Sequence, residues 1–215
     1  PVGSFYLVEH SHVDPESGLP VYIDLEGEET FEYNNDIRKY VGDGLPEFIG
    51  GFNNTVTYKN WDLSALATFS VGAKIFDSSA KRQLGVVTGW NMRTEKLDRW
   101  RQPGDEATYP RLTLDETTYS LPSGFPWWNT SLFIYDASYL RLRNLTIGYN
   151  IPLDAASTLQ NCRISINATN LFTLTNFPGL DPEVVRDFEN AQDRNMSPNV
   201  TYLTPPQERA FTLSV

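Results

Sequence analysis

Apolar and polar residues alternate with period two along several stretches of the chain, most plainly in GFNNTVTYKNWDLSALATFSVGAKI, residues 51–75. Successive side chains of an extended chain point to opposite faces. Phe52, Val56 and Tyr58 therefore share one side, while Asn53, Thr55, Thr57 and Lys59 share the other. Beyond a short break at Lys59-Asn60-Trp61, Leu63, Ala65, Ala67, Phe69 and Val71 line up opposite Ser64, Thr68, Ser70 and Gly72. Two long strands joined by so short a turn predict an antiparallel hairpin. A second pair follows. Leu145, Ile147 and Tyr149 alternate with Asn144, Thr146 and Gly148, a turn runs through NIPLDAASTLQN, and Cys162, Ile164, Ile166 and Ala168 then alternate with Arg163, Ser165, Asn167 and Thr169. The last residues repeat the pattern, with Phe211, Leu213 and Val215 against Ala210, Thr212 and Ser214. Antiparallel strands are thus predicted near 48–59, 62–76, 131–150, 161–172 and 207–215.

Between these stretches lie long polar segments, 10–46, 76–130 and 173–206, which are expected to be irregular. Short turns at one end of the strands and long loops at the other is the asymmetry of outer-membrane barrels. Structureless loops of this length count against a compact soluble domain. The expected fold is therefore all-β, an antiparallel transmembrane β-barrel segment with long extracellular loops, its apolar side chains facing lipid. The competing architecture is a soluble secreted β-sandwich that binds carbohydrate on loop tryptophans. It would bury the same side chains that a barrel exposes. In YLRLRNLTIGYNIP, residues 139–152, Leu140 and Leu142 have the opposite parity to Leu145, Ile147 and Tyr149. Either a bulge near Arg143-Asn144 re-aims the strand, or residues 139–143 rise above the lipid and leave Arg141 and Arg143 in water or headgroups. The second is the expectation taken here, because a charge near the interface costs only about 0–1 kcal/mol.

Composition narrows the partners. The 215 residues carry a net charge of -10, and their 17 Lys and Arg are scattered singly or in pairs, so no basic stripe offers itself to nucleic acid. A lone cysteine, Cys162, can build neither a disulfide framework nor a cysteine zinc site. No run approaches the roughly 20 apolar residues of a spanning helix, and PVGSFYLVEH does not read as a signal peptide.

The quoted strands carry a resemblance. DASYLRLRNLTIGYNIP, followed by RISINATNLFTLTNFPGLDPEV, closely resembles the C-terminal barrel of the SusC/RagA family of TonB-linked outer-membrane transporters. The stretches PVGSFY, VDPESGLPVYIDLEG and GDGLPEFIGGFNNTVTYKNWDLSALATFSVGAKIFD resemble the preceding strands and loops of the same family, so the likeness covers nearly all of residues 1–215. It implies the C-terminal portion of a 22-stranded barrel, a SusD-like surface lipoprotein over the extracellular mouth, and location in the outer membrane of a Gram-negative cell. It further implies import of oligosaccharides or peptides, driven through a TonB complex that would reach the barrel by an N-terminal region. Plug domain, TonB-contacting segment and signal peptide are read as absent from this chain, and the last strand lacks the family's terminal aromatic residue. At about 9–11 residues per strand, 22 strands need roughly 200–240 residues before any loop. A contribution of about six to eight strands is therefore expected.

Six Asn-x-Ser/Thr triplets occur, among them those at Asn53, Asn144 and Asn167. On a strand, residues two apart face the same way, so these three read as a polar lumen face rather than as glycosylation acceptors. That face is expected to comprise Asn53, Thr55, Thr57, Ser64, Thr68, Ser70, Asn144, Thr146, Ser165, Asn167 and Thr169. Residues 76–130 and 173–206 are expected on the extracellular side, where Trp90, Trp100, Trp127 and Trp128 are candidates to contact substrate or the lid partner. Trp127-Trp128 reads equally as an interfacial girdle pair, and Trp61, in a short turn, reads as girdle. His10 and His12 share a face, but no third ligand accompanies them, so no metal site is assigned. Carboxylates crowd 14–36 and 181–193 without singling out a pair, and no nucleophile motif is present. No catalytic residue and no cofactor are assigned, and loop calcium at Asp181 or Asp187 is the one ion entertained.

Overall fold

The computed structural model describes residues 3–84, 91–112, 130–153, 161–183 and 199–215. In chain order these form strands β1 (Ser4–Leu7), β2 (Glu9–Val13), β3 (Pro20–Ile23), β4 (Glu29–Thr30), β5 (Lys39–Asp43), β6 (Phe48–Tyr58), β7 (Trp61–Val71) and β8 (Lys74–Asp77), then helix α1 (Ser78–Leu84). Strands β9 (Ile134–Asp136), β10 (Tyr139–Asn150), β11 (Arg163–Thr175), β12 (Val200–Thr201) and β13 (Ala210–Ser214) follow. They divide between two compact units, one drawn from residues 1–45, 74–135 and 185–204, the other from 46–73, 136–184 and 205–215.

The second unit holds the long strands. Its sheet has the order β13-β11-β10-β7-β6, and every neighbour is antiparallel. The β6–β7 hairpin closes on Lys59 and Asn60, with Lys59 in the left-handed region at φ 53°. β6, β7, β10 and β11 run 11, 11, 12 and 13 residues, enough to cross a hydrocarbon layer when tilted. Five strands among the described residues belong to this sheet, fewer than the six to eight expected from length.

The register holds one irregularity. β10 shifts between Leu142 and Asn144 against both its neighbours, so Arg143 is an extra residue in the ladder. On the β11 side, Thr169 pairs with Asn144 and Phe172 with Leu142, and Asn170 between them adopts φ 50°. The bulge brings Leu142, opposite Ala67, and Leu140, opposite Phe69, onto the face of Leu145 and Ile147. Of the two alternatives read from the sequence, the register shows the bulge, the one not taken above. The strand keeps one apolar face along its full length, and the parity change in the sequence is the bulge itself.

The first unit replaces much of the expected irregular loop. Residues 10–46 contain β2–β5, paired as β2-β3-β4 and β1-β5, and β8 runs parallel to β12 in a β12-β8-β9 sheet. Val8, Tyr22, Tyr33, Phe76, Ala80, Leu84, Tyr109 and Phe133 pack together as its core. The strand predicted over 62–76 accordingly breaks at Gly72, where φ is 91°, and its tail becomes β8. The one predicted over 131–150 splits into a 3-10 turn (Ser131–Phe133), β9 and β10. Helix α1 starts on Asp77, whose Oδ1 accepts the N–H groups of Ser79 and Ala80 at 2.9 and 3.0 Å. At its last described residue the buried Lys96 ammonium donates to the Leu84 carbonyl at 2.6 Å.

Candidate functional site

The large sheet has two chemically opposite faces. On one lie Phe48, Phe52, Val56, Trp61, Leu63, Phe69, Leu140, Ile147, Ile164, Ile166, Phe211 and Leu213, with Asn54 the polar exception on β6. These side chains are solvent-accessible, with Val56 53%, Phe69 38% and Ile166 54% exposed. A contiguous apolar surface spanning five strands is far from what a soluble monomer presents. It is also the inverse of a sandwich core. Gly50 lies opposite Phe69, whose ring comes within 2.6 Å of where a Cβ would sit, so the aromatic covers the glycine. Trp61 and Tyr149 pack at a ring separation of 4.6 Å near the short-turn end of this face.

The opposite face is polar. The register places Asn53, Thr55, Thr57, Ser64, Thr68, Ser70, Asn144, Thr146, Ser165, Asn167 and Thr169 together on it, as the alternation requires. They bond to one another: the Asn167 amide donates to Asn144 Oδ1 at 2.7 Å and to Thr146 Oγ1 at 2.8 Å. Ile49 and Leu66 are apolar members of the same face. Near the short-turn end, Arg163 on β11 reaches over Gly148 on β10 to Asp62 on β7 at 2.6 Å. A Cβ on Gly148 would lie 2.3 Å from the guanidinium, so glycine admits the bridge.

At the other end of β10 sits a cluster that the alternation alone does not reveal. Arg141 Nη2 donates to Asp181 Oδ1 at 2.5 Å, and the two side chains are only 3% and 4% exposed. Arg143, displaced by the bulge, pairs with Glu183 and donates to Thr68 Oγ1 at 3.1 Å and Gln207 Oε1 at 2.8 Å. Asp181 also accepts the backbone N–H groups of Glu183 and Gln207 at 3.0 and 3.1 Å. Burial alone would raise its carboxyl, but the Arg141 hydrogen bond and these two N–H groups hold it below the usual carboxylate range. The cluster thus pins the segments around 181–183 and 205–207 to the polar face of β10. It corrects the expectation that Arg141 and Arg143 stand in water or headgroups. A signal was present in the sequence: Arg-x-Arg in β10 matches the spacing of Asp-x-Glu at 181–183.

The remaining candidates fall elsewhere. Trp100 packs over Gly18, and its indole N–H donates to the Pro15 carbonyl at 2.7 Å. Trp90, Trp127, Trp128 and Asp187 lie outside the described residues. A bulge between His10 and His12 turns the two imidazoles to opposite faces, because His10 pairs with Tyr22 and His12 with Val21. Among the described residues, no group of three His, Cys, Asp or Glu is placed to hold a metal. No described helix is long and apolar enough to cross a membrane, a statement that leaves strands untouched.

No family model matches the chain. Curated relatives do. TonB-dependent receptor P3 of Formosa agariphila is 31% identical over 231 residues, covering 100% of this chain and 22% of the receptor. TonB-dependent receptor P39 of the same organism is 30% identical over 76% of this chain and 16% of its own length. TonB-dependent receptor SusC of Bacteroides thetaiotaomicron is 25% identical over 84% of this chain and 17% of its own length. The chain spans about a fifth of the length of these relatives. Among solved structures, that of the RagAB peptide transporter superposes with a TM-score of 0.76 at 23% identity over 98% of this chain and 22% of the other. The RagAB peptide importer in its closed-closed state gives 0.75 at 22% identity. Those superpositions speak for the fold, and the relatives named align over 76–100% of this chain. The chain belongs to the SusC/RagA family of TonB-dependent receptors, and its long antiparallel strands are part of their β-barrel.

Proposed function

We propose that this chain supplies a C-terminal part of the wall of an outer-membrane importer for oligosaccharides or peptides. The observation that carries the reading is the pair of opposite faces on strands of 11–13 residues. The exposed apolar face meets lipid, and the hydrogen-bonded Asn, Thr and Ser face lines the water-filled lumen. Trp61 and Tyr149 serve as girdle aromatics at the short-turn, periplasmic end. A SusD-like surface lipoprotein caps the opposite, extracellular mouth. TonB acts through an N-terminal region of the whole receptor. Trp127 and Trp128 are assigned to substrate or lid contact, and alanine at both should weaken uptake while the barrel still assembles.

Accessibility labelling tests the assignment of faces. In the full-length receptor with Cys162→Ser, single cysteines at Val56, Ile166, Thr146 and Ser165 are treated in native membranes with a water-soluble maleimide and with a lipid-soluble one. Thr146→Cys and Ser165→Cys should take the first reagent, and Val56→Cys and Ile166→Cys only the second. Reaction of the Val56 and Ile166 positions with the water-soluble reagent would overturn the lipid-facing assignment. It would return the sheet to an aqueous surface.

A further inference from the structure

On the polar face, at the end of the β10–β11 pair away from the short turn, the second unit holds an open pocket of about 330 Å³. Arg141, Asn170, Thr173, Asp181, Gln207 and Arg209 line it. Their charges are unequally engaged. Arg141 is held by Asp181 at 2.5 Å, and Gln207 Oε1 accepts from Arg143. Arg209 makes a single weak contact, Nε to the Asn170 carbonyl at 3.5 Å, and has no carboxylate partner among the described residues. The Thr173 hydroxyl likewise makes no hydrogen bond among the described residues, whereas its neighbour Thr175 donates to the Ser138 carbonyl at 2.8 Å. The pocket owes its shape to the irregular ladder. Asn170, at φ 50°, leaves the β11 register opposite the Arg143 bulge, and its amide donates to the Glu208 carbonyl at 3.0 Å, next to Arg209.

We infer that this pocket is a subsite for a carboxylate carried by the cargo, with the Arg209 guanidinium as the fork and the Thr173 hydroxyl as the second donor. The inference rests on the polar face being the lumen. A guanidinium presents parallel N–H groups that match the two oxygens of a carboxylate, and the exposed Arg209 is open to an incoming one. Asp181 makes no ion pair with Arg209, its carboxylate being engaged by Arg141 and two backbone N–H groups. In a chain of net charge -10, most of the surface repels an anion, so an unpaired arginine beside a hydroxyl is a selective position. The volume admits one terminal residue or one sugar ring, not a whole oligomer.

Two sources could present that carboxylate, the C-terminus of a peptide or a uronic acid. The test uses the full-length receptor in detergent and calorimetric titration with two matched pairs. Trialanine is compared with trialanine amide, and trigalacturonate with its methyl ester. In at least one pair the acid should bind about tenfold more tightly than its neutral counterpart, the size of one well-placed charge-assisted pair. The preference should vanish in Arg209→Gln and partly return in Arg209→Lys. The pair that responds names the source. Equal binding within both pairs, no measurable binding of either acid, or a preference that survives Arg209→Gln would overturn the inference. Thr146→Cys labelling in the same preparation separates the two failures. A labelled lumen with no acid preference rejects the subsite alone, and an unlabelled one rejects the lumen.

Discussion

At the scale of single residues, Gly18 shows how tightly the first unit is fitted. Its φ of 70° suits glycine, and an added Cβ would lie 2.4 Å from Trp100 Cδ2. Gly27 has a φ of 90° but nothing within 4 Å of the same position. Gly27→Ala should therefore carry only backbone strain, about 1 kcal/mol, whereas Gly18→Ala adds the expulsion of an indole and should cost about 2–4 kcal/mol. Proteolysis of the 14–18 turn in the full receptor checks this, and equal rates in the two variants would remove the packing argument. His10 makes a second residue-scale prediction. Its ring lies edge-on to Tyr22 at 6.4 Å, and burial, with His12 adding to it, lowers its pKa from 6.5 to about 4. The folded unit thus binds fewer protons than the unfolded chain between those values. Its full stability holds above pH 6.5 and drains as the pH falls towards 4, by up to about 3 kcal/mol. Hydrogen exchange in β2 and β3, corrected for intrinsic rates, should rise between pH 7 and 5 and should cease to do so in His10→Phe.

At the scale of elements, the bulge in β10 and the charge cluster beside it work together. Arg141→Met would leave the Asp181 carboxylate buried without its cation, at a cost of about 3–5 kcal/mol, and should release the 181–183 turn from the sheet. Adding Asp181→Leu should recover much of that loss. Protection of the Glu183 and Gln207 amides reports both outcomes, and unchanged protection in the single variant would mean that the turn is held by something else. These elements also mark how far the sequence could be read. The long strands and both faces were legible, because the strands on either side of the Lys59-Asn60 turn keep one period from Phe52 to Val71, with Asn54 and Leu66 the exceptions. The break at Leu142 was legible as a change of parity but not as a bulge, because a strand leaving the membrane produces the same pattern. β2–β5 were missed because strands of two to five residues, built around Tyr22 and its neighbours, are too short to establish a period. The Arg141–Asp181 pair spans 40 residues, so matched spacing hinted at it while only the fold could join it. Trp100 was read as a contact residue on its type alone, and its place over Gly18 depends on a glycine 82 positions earlier that no local pattern connects to it.

At the scale of the whole molecule, the large sheet has two open edges. β6 and β13 each pair on one side, and no other described strand meets their far sides. An unpaired backbone group in hydrocarbon costs several kcal/mol, which is why spanning sheets close on themselves. In water the same sheet is no better placed. Its apolar face is exposed from Phe48 on β6 to Leu213 on β13, and free edges beside such a surface promote association. The 215-residue chain made alone should therefore not be recovered as a folded monomer without detergent. A monodisperse soluble monomer with the far-ultraviolet spectrum of a β protein would contradict this. Detergent should rescue the sheet but not its edges, because micelles cover side chains and offer no backbone partners. The outward-pointing amides of β6 and β13 should thus exchange rapidly in the detergent-solubilised chain, while the amides of β7 and β10, paired on both sides, stay protected. In the full-length receptor, where neighbouring barrel strands can pair with both edges, all four should be protected. Slow exchange of the outward-pointing amides of β6 and β13 in the isolated chain would show that the edges close on each other or on a second copy, and that the rest of the barrel is not required to complete this wall.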